Sequence, residues 1–211
     1  MKELQTIEET LKYLQFDNWE QSAPGLARSY ELLGLLGNPQ EKLRFVHIAG
    51  TNGKGSTAAM LASVLQSAGY RTGLYTSPHL LRFHERMRVD GREIDDASLI
   101  ALTNTVRAAA EGMSEMPTGF EIMTAIAFLY FVQEQCDIVA LEVGLGGRMD
   151  STNVIPAPEV CVVTNIGLEH TAILGDTLEK IATEKCGIIK HGANAVLFGQ
   201  SEGVENVARE K

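Results

Sequence analysis

The sequence predicts an α/β fold in which a mostly parallel sheet is covered by helices on both faces. Short apolar runs alternate with longer helical patterns along most of the 211-residue chain. The first complete unit is a strand, a glycine-rich loop, a helix and a second strand, which is the crossover that joins parallel strands. Hydrophobic residues make up 45% of the chain and charged residues 21%, so a buried core is expected and disorder is not.

Two amphipathic helices are predicted first, from apolar residues at helical spacing. Ile7, Leu11 and Leu14 share one face of the first helix, and a second pattern over 26–36 stops at Gly37-Asn38-Pro39. The crossover unit follows, because an apolar run ends in glycine and is succeeded by a helical stretch and another apolar run. Its elements are a strand over 43–49, a helix over 56–68 and a strand over 72–76.

Turn chemistry locates the elements in the middle of the chain. Asp90-Gly91 is typical of a two-residue hairpin turn, and Asp95-Asp96 carries side chains that favour a helix start. Strands and helices then alternate to the end of the chain, which keeps the sheet mostly parallel. The remaining predicted elements are strands over 87–89 and 92–94, helices over 95–110 and 120–135, strands over 137–143 and 160–164, a helix over 177–189, a strand over 195–198 and a helix over 201–211.

Charge, cysteine usage and hydropathy exclude several classes of protein. The 18 Lys and Arg against 27 Asp and Glu give a net charge of -9, which argues against a nucleic-acid partner but is compatible with a local anion site. Cys136, Cys161 and Cys186 lie far apart, so we predict buried hydrophobes and neither a zinc site nor a disulfide framework. No apolar run approaches the ~20 residues of a membrane span, and no export signal is present, so a cytoplasmic protein without a membrane partner is expected.

A glycine-rich segment between a strand and a helix is typical of a phosphate-binding loop. The segment reads Gly50-Thr51-Asn52-Gly53-Lys54-Gly55-Ser56. Its glycines let backbone N–H groups converge on phosphate oxygens, and the helix that follows adds positive potential. Lys54 is then expected against the β- and γ-phosphates and Ser56 near a metal ion. The alternative, a glycine-rich turn with an exposed lysine, leaves the agreement of strand, glycines, lysine, serine and helix unexplained.

The spacing of this loop resembles that of the ATP-dependent Mur ligase superfamily, because Gly50 precedes Gly53-Lys54 more closely than in the usual phosphate loop. The loop string is similar to that of the folate branch, folylpolyglutamate synthase and dihydrofolate synthase, and further segments match in the family's order. They are Thr76-Ser77-Pro78-His79-Leu80 with Arg82, Glu85 and Arg86; Thr118-Gly119-Phe120-Glu121; Glu142-Val143-Gly144-Leu145-Gly146-Gly147-Arg148 with Asp150-Ser151-Thr152-Asn153; and Gly167-Leu168-Glu169-His170 with Leu174-Gly175-Asp176-Thr177 and Glu184-Lys185-Cys186-Gly187-Ile188-Ile189-Lys190.

The resemblance implies a P-loop NTPase-like Mur ligase central domain that is truncated. Residues 1–211 would form an incomplete N-terminal ATP-binding domain, because full members of the family are about twice as long and carry a C-terminal domain. The implied reaction joins L-glutamate to dihydropteroate or a reduced folate through an acyl phosphate, with ATP and Mg²⁺, in a monomeric enzyme whose partners are these small molecules. The alternative is a nucleotide-binding fragment or P-loop NTPase module without ligase activity, and the isolated fragment is expected to be inactive.

The resemblance also implies roles for single residues in catalysis and metal binding. The implied magnesium ligands are Ser77, Glu142 and His170, and the implied catalytic residues are Lys54, Lys185 and His170. Lys185 corresponds to a lysine that carries a carbamate in the family. By itself it would instead be assigned to the surface, paired with Glu184 or Glu179. His170 taken alone would likewise be a satisfied surface histidine, since magnesium seldom binds imidazole.

Substrate contacts are implied for residues in three further segments. They are Thr118, Phe120, Asp150 and Ser151 around the pterin and Arg82 in the loop that covers the folate site. Phe120 also suits a second reading as the start of the apolar face of its helix. Among the other histidines, His47 is predicted to be a hydrogen-bonded core or sheet-end residue, His79 to orient the loop after Ser77, and His84 to lie at the surface.

Overall fold

The computed structural model describes residues 3–15 and 25–211, which contain a seven-stranded sheet. The strands are β1 (Phe45–Ala49), β2 (Thr72–Tyr75), β3 (Met87–Val89), β4 (Arg92–Glu93), β5 (Ile138–Glu142), β6 (Val160–Val163) and β7 (Asn194–Leu197). Their order is β4-β3-β2-β5-β1-β6-β7, and all neighbours from β2 to β7 are parallel, whereas β3 and β4 add an antiparallel edge. The predicted mostly parallel α/β sheet is confirmed.

Helices connect these strands on both faces of the sheet. They are α1 (Ile7–Leu14), α2 (Ala27–Leu35), α3 (Lys54–Ser67), α4 (Asp96–Ala110), α5 (Gly119–Gln133), α6 (Thr171–Leu174), α7 (Leu178–Lys185) and α8 (Glu202–Arg209). Short 3-10 helices lie at Pro39–Lys42, Phe83–Arg86, Ser151–Val154 and Cys186–Ile188. In the described part of the chain, none of the helices has the length and apolar character that crossing a bilayer requires.

The predicted elements are all present, and their ends differ for local reasons. Helix α3 begins at Lys54, ahead of the predicted Ser56, because Gly53 adopts a left-handed conformation at φ 81° and caps it. The helix predicted over 177–189 ends at Lys185 and continues as the 3-10 turn Cys186–Ile188. Helix α6 was not predicted from the sequence, since one turn is too short to produce a periodic apolar pattern.

The hydrophobic core is divided between the two faces of the sheet. On one face Phe45 packs with α4 and α5, and its ring meets that of Phe128 at 5.6 Å in an edge-on arrangement. On the other face Val46 and Ile48 pack with α3. Every residue of β1, β2 and β5 is buried, which is the pattern of parallel strands covered on both sides. Cys136, Cys161 and Cys186 are buried free thiols, as predicted.

Candidate active site

The carboxyl ends of β1, β2, β5 and β6 bring four loops to one edge of the sheet. The N–H of Ser77, after β2, donates to Oε2 of Glu142, the last residue of β5, at 2.9 Å. The N–H of Thr51, after β1, donates to the carbonyl oxygen of Asn165, after β6, at 2.8 Å. Segments that are far apart in the sequence therefore meet at the edge where parallel sheets bind ligands.

The loop between β1 and α3 requires glycine at position 50. Gly50 has φ +146°, and a Cβ atom there would lie 1.7 Å from Oγ1 of Thr164. The loop is held from the side of β6, because Thr51 and Asn52 donate their N–H groups to the carbonyl and side-chain oxygens of Asn165 at 2.8 and 2.9 Å. Two of the N–H groups expected to bind phosphate are thus used to fix the loop.

The first turn of α3 carries the groups of this loop that are open to an anion. The N–H groups of Lys54 and Ser56 have no acceptor within the helix, and none of the described residues accepts from them. Lys54 Nζ crosses the loop and donates to the carbonyl oxygens of Gly50 at 3.0 Å and Thr51 at 3.3 Å. With the positive end of a 14-residue helix, these groups suit a phosphate.

Glu142 is a buried carboxylate with no cation at ion-pair distance among the described residues. It is 4% exposed and accepts from the backbone N–H groups of Ser77 and Gly55. Burial raises the pKa of Glu142, and the nearby charges of Lys54 and Arg86 oppose that rise. A buried carboxylate in backbone contact with a serine offers the carboxylate and hydroxyl oxygens that a hard divalent cation prefers, so the residues present fit Mg²⁺.

His170 belongs to the loop after β6, separate in the chain from Ser77 after β2 and Glu142 at the end of β5. It is exposed, precedes α6 and adopts a left-handed conformation at φ 43°. In the ranges 3–15 and 25–211 no hydrogen bond joins its ring to Ser77 or Glu142, and no three His, Cys, Asp or Glu side chains cluster as a metal site. The structure therefore brings Ser77 and Glu142 together, and the role of His170 as a third ligand stays a prediction.

Lys185 is buried beneath the phosphate loop. It is 1% exposed, and its Nζ donates to the carbonyl oxygen of Gly50 at 2.9 Å and to Glu169 Oε1 at 2.5 Å. Burial lowers the pKa of Lys185, and the Glu169 carboxylate opposes that change. The alternative surface assignment is wrong, because the side chain is buried and pairs with Glu169 and not with Glu184 or Glu179. Glu184 pairs with Arg148 at 2.8 Å.

The glycine-rich loop after β5 packs directly on the C-terminal end of α7. A Cβ atom on Gly147 would lie 2.7 Å from the carbonyl oxygen of Glu184 and 2.9 Å from that of Lys185. The N–H of Arg148 donates to the carbonyl oxygen of Glu184 at 2.8 Å. The loop that begins beside Glu142 is therefore in backbone contact with the residue that carries the buried amine.

We expect Gly147→Ala to destabilise the protein by about 1–3 kcal/mol, because the added methyl group meets backbone oxygens that cannot move independently of α7. Gly34→Ala is the control, since a Cβ atom at Gly34 in α2 meets nothing within 4 Å and should stabilise the helix by about 0.5–1 kcal/mol. Chemical denaturation of both variants measures the difference. Equal stabilities would contradict the close approach at Gly147.

An aromatic side chain faces the loop after β5 from α5. The ring of Phe120 lies 6.2 Å from that of Tyr75, and a Cβ atom on Gly144 would lie 2.5 Å from Phe120 Cζ. Thr118 caps α5 by accepting from the N–H of Glu121, whose carboxylate in turn accepts from Arg28 Nε at 3.1 Å. The predicted Thr118 and Phe120 therefore sit at a helix start that a buried ion pair holds in place.

Asp150 is buried, and its carboxylate is bound within the protein. It accepts from the N–H groups of Leu145 at 2.8 Å and Thr152 at 3.0 Å, and from Thr152 Oγ1 at 2.5 Å.

The Thr152 hydroxyl also lies 2.9 Å from Nε2 of buried His47. Burial lowers the pKa of His47 to about 3, so this histidine is neutral. His47 is hydrogen-bonded in the core, as predicted, and adjacent Ser151 is also buried.

Arg82 lies in an exposed loop whose backbone is held by one carboxylate. Glu85 accepts from the N–H groups of Leu80, Leu81 and Arg82 at 2.7–2.9 Å, and both leucine side chains are about nine-tenths exposed. The Arg82 guanidinium reaches Glu93 at 4.0 Å.

His84 is not at the surface as expected. It is buried and its Nε2 lies 2.8 Å from Asp96 Oδ1.

Comparisons with known proteins show what this chain is similar to. Residues 48–210 match the Mur ligase middle domain. Over 174 residues the chain is 51% identical to the dihydrofolate synthase/folylpolyglutamate synthase of Bacillus subtilis, covering 80% of this chain and 40% of that relative. The structure resembles the FPGS-AMPPCP-folate complex, with 40% identity, TM-score 0.92, and coverage of 98% of this chain and 51% of that one. It also resembles E. coli FolC in complex with DHPP and ADP, with 38% identity, TM-score 0.90, and coverage of 100% and 51%. The chain thus spans about half the length of the proteins it matches.

Proposed function

The chain belongs to the Mur ligase family through its middle domain, and we propose that it is the ATP-binding part of an enzyme that adds L-glutamate to dihydropteroate or a reduced folate. The observation that carries this proposal is the convergence of the phosphate loop, Glu142 and Lys185 at one sheet edge. It is supported by the relative from Bacillus subtilis, named a dihydrofolate synthase/folylpolyglutamate synthase, and by related structures that hold AMPPCP with folate or ADP with DHPP. Since those proteins are about twice as long, we assign residues 1–211 to the N-terminal portion of such a ligase.

The proposed reaction turns a carboxylate into an amide. A carboxylate resists attack by an amine because its charge is delocalised and its oxygen is a poor leaving group. Transfer of the γ-phosphoryl group of ATP to a carboxylate oxygen forms an acyl phosphate and releases ADP. The amino nitrogen of glutamate then attacks the carbonyl carbon, loses a proton and displaces inorganic phosphate. The protein contributes positioning and charge neutralisation.

The phosphate loop and the Glu142 pair carry the nucleotide side of this chemistry. The N–H groups of Lys54 and Ser56 bind phosphate oxygens, and the Lys54 ammonium balances the charge that moves with the γ-phosphoryl group. Ser77 and Glu142 would hold Mg²⁺, with His170 as the third proposed ligand. When bound, the ion supplies further neutralisation of the phosphates.

Lys185 is proposed to act as a carbamate. Its neutral amine adds carbon dioxide and loses a proton, which converts a buried cation into an anion. Burial lowers the pKa of the amine and so favours the neutral form that reacts. A carbamate here would face the carboxylate of Glu169, whose Oε1 lies 2.5 Å from the amine. Mg²⁺ held by Ser77 and Glu142 would supply positive charge that offsets the repulsion between these two anions.

The acceptor side of the proposed site lies around α5 and the loop after β5. The ring of Phe120 offers a flat apolar surface for a pterin, beside Thr118 and the Asp150-Ser151 turn. The Asp150 carboxylate accepts three hydrogen bonds within the protein. A carboxylate has about four acceptor sites, so Asp150 can offer at most about one to a ligand. Arg82, on the exposed loop after Ser77, is proposed to meet a substrate carboxylate.

An ADP-release assay on the full protein tests the proposed function. ATP and Mg²⁺ are supplied with dihydropteroate or tetrahydrofolate, each with and without L-glutamate. A ligase turns over, and so releases ADP continuously, only when the acceptor and glutamate are both present. A nucleotide-binding module releases none, and an NTPase module releases ADP without either compound. Either of the last two results would refute the ligase.

We expect Glu142→Gln to lower the ligation rate by about 10²-fold, because it keeps the shape of a preorganised group and removes its charge. Its dependence on magnesium should weaken. Glu159→Gln is the matched control, because Glu159 is an exposed carboxylate that pairs with Arg44 at 2.9 Å. Both residues precede their strands, β6 and β1, and so lie at the end of the sheet opposite the site. Magnesium titrations of the rate compare the two variants. Identical titrations for Glu142→Gln and the natural protein would exclude Glu142 as a ligand.

A further inference from the structure

Arg86 is a half-buried guanidinium without a carboxylate partner among the described residues. It ends the 3-10 helix Phe83–Arg86, and its Nε donates to Nδ1 of His79 at 2.9 Å. Its Cζ lies 5.5 Å from the centre of the Phe83 ring. The two neighbouring arginines differ, because Arg82 and Arg88 both reach Glu93 at the surface. A partly desolvated cation without a carboxylate partner favours the binding of an anion.

The terminal nitrogens of this guanidinium are available to a ligand. No acceptor in ranges 3–15 and 25–211 bonds its two terminal nitrogens, and neither nitrogen is sealed from solvent. The backbone places Arg86 beside the site, because its carbonyl oxygen accepts from the N–H of Thr76 at 3.1 Å. The N–H of the next residue, Ser77, donates to the Glu142 carboxylate at 2.9 Å. Tyr75, which precedes Thr76, has its ring 6.2 Å from that of Phe120. Burial lowers the pKa of Arg86, and Tyr75 and the Glu142 carboxylate oppose that change.

We propose that Arg86 binds the carboxylate of the acceptor, the group that is phosphorylated in the ligation. This inference rests on the proposed function. The phosphate loop follows β1, whereas Arg86 belongs to the connection between β2 and β3, and β5 separates β1 from β2. Lys54 already serves the phosphates on the β1 side. A guanidinium fork matches the two oxygens of a carboxylate, and the two unpaired terminal nitrogens of Arg86 supply that fork.

His79 is the positioning residue for this contact. Because its Nδ1 accepts from Arg86 Nε, the ring holds the guanidinium in one orientation and leaves the terminal nitrogens free. The ring of His79 also packs 6.0 Å from that of Phe83. His79 thus orients the loop after Ser77, as the sequence predicted, by binding the arginine that the sequence left without a role.

A comparison of two ligands tests the contact directly. Binding of dihydropteroate and of its carboxamide analogue, in which the carboxylate is replaced, is measured on the full protein with AMPPCP and Mg²⁺. We expect Arg86→Gln to weaken binding of the acid by about 10- to 100-fold, as loss of charged hydrogen bonds does, and to leave the carboxamide unchanged. Arg88→Gln is the control, because Arg88 on β3 already pairs with Glu93 on β4 at 3.5 Å. An unchanged preference for the acid in Arg86→Gln would overturn the proposal.

Two further variants keep the test decisive if Arg86→Gln does not fold. His79→Asn retains an acceptor at the position of Nδ1 and should bind the acid normally, whereas His79→Ala should bind it several-fold more weakly. If both variants bind both ligands like the natural protein, the orientation of Arg86 has no role and the inference fails. A natural protein that binds neither ligand would instead refute the proposed function. Loss of carboxamide binding in Arg86→Gln would show that Arg86 supports the fold of the site and not the carboxylate.

Discussion

Replacing Lys54 with alanine is expected to abolish ATP-dependent ligation and leave the fold intact. The two contacts of Nζ, with the carbonyl oxygens of Gly50 and Thr51, lie within the phosphate loop, and the side chain fills no part of the core. Loss of a preorganised charge at the transferred phosphoryl group costs at least about 10²–10³-fold in rate. ADP release with both substrates present measures the loss, and thermal unfolding checks the fold.

Lys180→Ala is the matched control for this prediction. Lys180 is an exposed lysine on α7 and pairs with Asp176 at 2.8 Å, so its removal should change neither the rate nor AMPPCP affinity measurably. Lys54→Ala should bind AMPPCP more weakly, because the ammonium also contributes to ground-state binding. Normal turnover by Lys54→Ala would mean that the segment from Gly50 to Ser56 is a structural turn and that the nucleotide binds elsewhere.

The fold and the glycine-rich turn between β1 and α3 were predictable because their signals are local. Alternating strands and helices specify a parallel sheet, and the loop carries its glycines, lysine and helix start within one short segment. The hydrogen bonds that hold this loop in place were not predictable. The N–H groups of Thr51 and Asn52 donate to Asn165, which follows β6, and nothing in the loop itself indicates that partner.

Residues whose roles depend on distant contacts could not be assigned from sequence patterns. Lys185 lies on an amphipathic helix where a lysine is ordinarily solvated, yet its partner Gly50 is 135 positions away. The same limit applies to His47, which meets Thr152 across 105 positions and so supports Asp150. Arg86 belongs to a matching motif, but only the packing of His79 and Phe83 around it distinguishes it from Arg82. Burial of a charge is a tertiary property, and a periodic pattern does not record it.

Lys185→Ala is expected to lose ligation activity, and small molecules that fill the vacated space can identify the missing charge. If the functional group is a carbamate, acetate restores part of the rate, because it returns an anion beside Glu169 and the metal ligands. If the functional group is the ammonium that contacts Glu169 and Gly50 at present, methylammonium restores the rate and acetate does not. Rates with each additive, compared with the same additions to the Lys180→Ala control, separate the two.

Lys185→Arg gives an independent test, because arginine stays positively charged and does not form a carbamate under ordinary conditions. Under the carbamate proposal its rate should fall as far as that of Lys185→Ala. The site is fully buried, so a larger side chain also strains the packing under the loop, and the free energy of unfolding must be measured beside the rate. A folded arginine variant with natural turnover would sink the carbamate and assign Lys185 to a structural ion pair with Glu169. Two results together would require an anion at this position: a folded but inactive Lys185→Arg variant, and rescue of Lys185→Ala by acetate but not by methylammonium. In that case the positive charge of arginine has failed to replace the functional group.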